Sequence, residues 1–193
     1  MTVDALARSR RALGDDRPIT IILISNLSSI LQKRGKHAEA EPYLREALER
    51  FIRTLGEDHP RTLVVFANTG VLLHRLEKSD EAARVLAEAL ASMRRALGEE
   101  HPITATTMRS LARAHMSLGQ HAQAEPLLLE SLEKLLRVMG DKHPSILTAM
   151  ENIVDLYTAW DKAEPAKGYG VKTTEWQAKL DAAAKAMGAV KSE

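Results

Sequence analysis

Glycine returns every 42 residues in this chain, at Gly14, Gly56, Gly98 and Gly140. Pro18, Pro60, Pro102 and Pro144 keep the same step, as do Ala40, Ala82 and Ala124, and Leu48, Leu90 and Leu132. Asn26, Asn68 and Asn152 share a further column, in which Ser110 takes the third place. Several columns in phase mean one supersecondary unit used repeatedly, each copy burying its apolar face against the next.

Each unit reads as two helices. The Gly ends one helix, since it enters a left-handed cap without steric cost. The Pro four positions on opens the next, where its missing N–H has no intrahelical acceptor to lose. Between them lie Asp15, Asp16, Glu57, Asp58, Glu99, Glu100 and Asp141, whose charge suits a helix N-terminus. A second break falls mid-unit at Gly35 and Gly119, with Glu77 and Asp161 in the matching slots. The pattern predicts helices at 18–34, 37–54, 60–76, 79–96, 102–118, 121–138 and 144–160. No segment alternates with period two, so no sheet is expected.

Apolar spacing marks the buried faces. Ile24, Leu27, Ser28 and Leu31 form an i, i+3, i+4, i+7 stripe. It is repeated at Phe66, Thr69, Gly70 and Leu73, and again at Met108, Leu111, Ala112 and His115. Partner helices supply Ala40, Leu44, Ala47 and Leu48 and their equivalents. Small residues at Ser28, Gly70 and Ala112 allow close approach of the paired helices.

This small–large rhythm resembles the tetratricopeptide repeat. The 42-residue length, with Leu55-Gly-Glu-Asp-His-Pro60 and Leu97-Gly-Glu-Glu-His-Pro102, resembles its kinesin-light-chain-type subclass, as do the Gly-x-His-Ala-x-Ala-Glu-Pro runs at 35–42 and 119–126. The resemblance covers about residues 1–160. It implies an all-α, right-handed superhelical solenoid of antiparallel helix pairs that binds protein or peptide. The expected division is a half repeat at 1–15, repeats at 16–57, 58–99 and 100–141, and a fourth at 142–193 with an irregular C-terminal cap. The run Leu76-Glu-Lys-Ser-Asp-Glu-Ala-Ala83 lacks the turn Gly and the Ala-Glu-Pro ending, so its turn is the least secure part of the pattern.

The ends differ from the middle. Residues 1–13 match only the second helix of a unit. Either the chain is a piece of a longer array, or this helix caps the stack or pairs with another chain. Pro165, Gly168 and Gly170 predict a loop over 163–173, followed by a helix from Thr174 to Met187. Tyr157, Trp160, Tyr169 and Trp176 gather here, which suits a cap closing the core, with a binding loop as the alternative.

Catalytic chemistry finds no support. His59, His101 and His143 recur one per loop; stacked units hold such equivalents about 10 Å apart, too far to share a metal bound at roughly 2 Å. His-Glu-x-x-His and Gly-x-Ser-x-Gly are absent. No catalytic residue, metal or cofactor is expected. The chain has no cysteine, and its 27 Lys+Arg nearly balance 26 Asp+Glu, which argues against nucleic acid. Pro18–Gln32, the longest uncharged stretch at about 15 residues, is shorter than the roughly 20 a spanning helix needs. The N-terminus lacks a basic start followed by an apolar run, so no signal peptide is visible and a cytoplasmic location without membrane contact is expected.

In the resembling family, the first helix of each unit lines a concave groove. The stripe beside its core face then presents Asn26, Ser29 and Lys33, next Val64, Asn68, Val71 and Arg75, next Arg109 and Arg113, and finally Asn152. An Asn amide both donates and accepts, so three of them at one step could hold an extended backbone; the alternative is that they bond neighbouring helices. Arg109 and Arg113, four apart, can meet one acidic cluster bidentately, or pair with Glu151 and Asp155 of the following unit. The expectation is a non-catalytic scaffold binding a peptide, which these arginines predict to be acidic. A self-assembling array joined through its terminal helices, or a regulatory domain of a larger protein, is the alternative.

Overall fold

The computed structural model describes residues 2–189; Met1 and the end of the expected fourth repeat, 190–193, lie outside the described residues. All regular structure among them is helical, with α-helices joined by short turns. The chain divides into two compact units at residues 97 and 98.

The first unit contains α1 (Thr2–Leu13), α2 (Pro18–Lys33), α3 (His37–Leu55), α4 (Pro60–Arg75) and α5 (Ser79–Leu97). Each helix packs on the next in sequence. Ile21, Ile24, Leu27, Leu44, Ala47 and Phe51 form much of its core, and Leu6 of α1 joins them. Most positions of the predicted stripes are buried, but Leu31, Leu48 and Phe66 are only partly so, and burial also takes in Thr20, Leu63 and Ala67. Gly70 marks the tightest approach among the glycines: a Cβ there would lie 2.5 Å from Leu86 Cγ, so any side chain would displace Leu86 or the helix that carries it.

The second unit contains α6 (Pro102–Ser117), α7 (His121–Met139), α8 (Pro144–Ala163), a 3-10 turn (Pro165–Lys167) and α9 (Tyr169–Ala189). Leu128, Leu135, Ile146, Ile153 and Leu156 are buried at its centre. Two expectations are corrected here. Asp161 does not break α8, which runs on to Ala163, and the loop expected over 163–173 shrinks because α9 starts at Tyr169. Asp161 Oδ1 accepts the Gly170 N–H at 2.7 Å, giving the first turn of α9 the acceptor it lacks in its own helix.

The mid-unit turns are alike whether or not they contain Gly. Gly35 N donates to Gln32 O and Lys36 N to Leu31 O; Gly119 and Gln120 repeat this with Met116 and His115. Glu77 and Lys78 do the same with His74 and Leu73, and Glu77 takes φ 62°, where Gly35 has 74° and Gly119 has 70°. Left-handed backbone strains a residue with a Cβ by about 1–2 kcal/mol, part of which Gly loses again in entropy. Replacing Glu77 by Gly is therefore expected to stabilise the chain by about 0.5–1 kcal/mol. Urea unfolding checks this, with Gly35→Glu expected to shift the midpoint the opposite way.

Candidate functional site

The recurring histidines have a structural task that their spacing alone did not reveal. Nδ1 of His59, His101 and His143 accepts the N–H of Arg61, Ile103 and Ser145, each at 3.2 Å, so each imidazole caps the helix that Pro opens. A signal was present in the sequence: His precedes Pro at the position where Ser, Thr or Asp usually caps. His115 likewise bonds locally, Nδ1 to Gln120 Oε1 at 2.7 Å. Among the described residues no group of three or more His, Asp or Glu is placed to hold a metal.

The predicted binding stripe is best formed in the first unit. Asn26, Ser29, Lys33, Asn68 and Arg75 are exposed, while Val64 and Val71 are half-buried. Ile22, Ser25, Asn26 and Val64 come together with Phe51, Pro60, Arg61 and Val65 around a largely apolar cleft of about 280 Å³ between α2 and α4. The amides of Asn26 and Asn68 bond to no described residue, which leaves donor and acceptor free. Ser29 Oγ donates to Ser25 O of its own helix at 3.1 Å.

In the second unit the stripe is divided. Asn152 is buried, 7% exposed, and its amide nitrogen donates to the Thr148 carbonyl of its own helix. It is not the third rung of an exposed amide ladder. Arg113 is exposed and Arg109 half-buried. Neither pairs with Glu151 or Asp155 or with any other described carboxylate, so the internally neutralised arrangement is not formed. Arg109 Nη1 is buried without a hydrogen-bond acceptor. Burial, and then the positive charge of Arg113, push its guanidinium below the usual arginine range. One nitrogen of this half-buried guanidinium is thus shielded from solvent with no counter-ion supplied.

Charge is sorted by helix, except in α8, the first helix of its pair, which carries Glu151, Asp155 and Asp161. The sixteen-residue helices α2, α4 and α6 contain no Asp or Glu. Their cations, Lys33, Arg61, Arg75, Arg109 and Arg113, form no ion pair among the described residues. On the second helices many cations are paired, Arg10 with Glu46 at 2.7 Å, Arg45 with Glu41 at 2.8 Å, Arg50 with Asp16 at 2.7 Å and Lys134 with Glu100 at 3.3 Å, although Arg11, Arg84 and Arg95 form no ion pair among the described residues.

The aromatic end of the second unit is filled by its own side chains. Trp160 stacks on Tyr169 with centroids 4.1 Å apart, and His121 on Trp160 at 5.8 Å. Tyr157 OH donates to Glu125, which also accepts from Lys172 Nζ at 2.9 Å. Burial pushes the Glu125 carboxyl up, but the Tyr157 and Lys172 hydrogen bonds and the Lys172 charge outweigh it and hold the group below its ordinary value.

With this geometry in view, the described residues form an all-helical repeat protein. The tetratricopeptide repeat family model matches residues 20–95, 84–135 and 111–175, and the chain belongs to that family. Two crystal structures of nearly identical TPR-like repeats from a candidate kinesin light chain of Podosopora anserina are similar. One of them, a single-substitution form, has TM-score 0.73 and 23% identity, over 93% of this chain and 85% of that one. The other has TM-score 0.71 and 23% identity, over 92% and 84%. BtubC (BKLC) from P. vanneervenii gives TM-score 0.70 and 24% identity over 98% and 80%. The fold is thus the TPR-like solenoid of kinesin-light-chain type. Among curated proteins, none matches the chain by sequence. Tetratricopeptide repeats generally mediate protein–protein interaction and are typically non-catalytic. No described helix is long and apolar enough to cross a membrane.

Burial, then the hydrogen bond and charge of Glu125, push the Tyr157 phenol up to about 12, against the opposing pull of Lys172. An unfolded tyrosine ionises near 10, so the folded state favours the neutral phenol. That stabilisation is complete below about pH 10 and is lost as pH rises from about 10 to about 12. Urea unfolding at pH 8 and pH 11 is expected to show a larger fall in stability for the parent than for Tyr157→Phe.

Proposed function

We propose that this chain is a cytoplasmic, non-catalytic scaffold that binds an acidic peptide segment on the faces of its first helices. One observation carries the reading: α2, α4 and α6 have unpaired cations and no carboxylates, whereas the second helices carry carboxylates that pair many of theirs. In the first unit, Asn26 and Asn68 bond the peptide backbone, and Lys33 and Arg75 meet its acids. Ser29 lies between these groups, Val71 adds apolar contact, and the cleft beside Val64 receives an apolar side chain. In the second unit, Arg109 and Arg113 bind carboxylate, which supplies Arg109 Nη1 with its missing acceptor. Asn152, its amide already bonded, contributes shape only.

Exposed ion pairs stabilise by only about 0–1 kcal/mol each and are screened by salt, so specificity here comes from several weak pairs acting together. Capture of partners from a lysate of the source cells, followed by titration of the captured acidic segment, tests the reading. Arg109→Glu with Arg113→Glu is expected to weaken binding at least tenfold, and raised salt to weaken the parent's binding. Unchanged affinity in a folded double variant overturns the acidic-peptide reading.

A further inference from the structure

The opposite side of the first unit, between α3 and α5, carries two neighbouring hollows of about 400 and 320 Å³, both lined by Ile52 and Phe66. Their linings differ. The larger presents Glu57, Thr62, Glu88 and Ser92, with Arg95 at its rim. The smaller is walled by Leu48, Leu73 and Val85, with Glu49, Glu81 and Arg45 around it.

Thr62 gives the larger hollow its meaning. Its equivalents one unit away on either side use their hydroxyls locally: Thr20 Oγ1 donates to Gly14 O at 2.8 Å, and Thr104 Oγ1 to Gly98 O at 3.0 Å. Thr62 is 1% exposed, and its Oγ1 has no partner. A buried hydroxyl without a hydrogen bond is unfavourable, and this one lines a hollow whose other polar groups are chiefly acceptors.

The surrounding charge is unbalanced. Glu49, Glu57 and Glu88 are exposed and form no ion pair among the described residues. Arg45 is engaged by Glu41 at 2.8 Å and Glu81 at 3.2 Å, and Arg95 Nη2 rests on Ser92 Oγ at 3.1 Å. Three carboxylates thus face one uncommitted cation. An ammonium or guanidinium entering the larger hollow finds the Glu57 and Glu88 carboxylates, and charge-assisted bonds are the strong ones. An apolar side chain a residue or two away reaches the smaller hollow across Phe66.

We propose that the α3/α5 side of the first unit is a second docking site, which takes a basic peptide segment with a cation over Glu57, Glu88 and Thr62 and an apolar side chain over Phe66. The site is separate from the carboxylate-free α2/α4 face and has the opposite charge preference, so the two stand or fall independently.

The test is a two-dimensional NMR titration of the full chain with three capped hexapeptides, Lys-Arg-Leu-Phe-Lys-Arg, Glu-Asp-Leu-Phe-Asp-Glu and Ser-Asn-Leu-Phe-Asn-Ser. The basic peptide is expected to shift the Thr62, Phe66, Glu88 and Ser92 resonances to saturation. The shift should weaken at least tenfold in the Glu57→Lys, Glu88→Lys double variant and fall with added salt. Shifts of Asn26 and Asn68 by the acidic peptide report on the other face and leave this result untouched. The proposal is overturned if the basic peptide moves none of the α3/α5 resonances, if the neutral peptide binds as tightly, or if the parent and the folded double variant bind it equally.

Discussion

Everything in this molecule depends on helices that cannot bury their apolar stripes alone. Ile24, Leu44 and Leu86 are wholly shielded only because a neighbouring helix covers each of them. Where the approach is closest the side chain disappears, at Gly70 against Leu86. Elsewhere a small hydroxyl bridges the gap, as Ser28 Oγ does to Ala40 O at 3.1 Å and Ser131 Oγ to Ala105 O at 2.7 Å. Hydrophobic burial drives the packing, and these residues set how near the backbones come.

Packing of this kind gives the two helices of a pair different surroundings. The second helices carry charge of both signs and link successive pairs by ion pairs such as Arg10–Glu46 and Arg45–Glu81. Those contacts are exposed and individually weak, but they leave few cations available. The first helices α2, α4 and α6 have no carboxylates with which to do the same. A face that cannot neutralise itself is suited to a partner that can.

Much of this was legible in the sequence because the repeat supplied several readings of one unit. Gly, Pro and the small apolar residues fall at fixed offsets, and the observed helices begin at Pro18, Pro60, Pro102 and Pro144 as their spacing implied. The departures fall where the repeat decays. Asp161 occupies the slot of a turn Gly, yet α8 continues through it, because packing of Trp160 on Tyr169 extends the helix and moves the turn to 164–168. Glu77 sits in the same slot and does make the turn, since the flanking helices α4 and α5 impose it at the expense of backbone strain.

What the sequence settled by itself was the unit: its length, its two helices, its buried stripes and its membership of a repeat family. These are local or periodic properties, fixed by φ preferences and by helical spacing. Only the tertiary structure decided which polar groups already have partners. Asn26, Asn68 and Asn152 are the same residue at the same offset, yet Asn152 is buried and bonded to Thr148 while the others remain open. Thr20, Thr62 and Thr104 are likewise equivalent in sequence, and only Thr62 is left without an acceptor. Hydrogen bonds and ion pairs form over about 3 Å, so shifts too small to disturb the repeat determine whether a side chain is satisfied within the protein or free to bind something else.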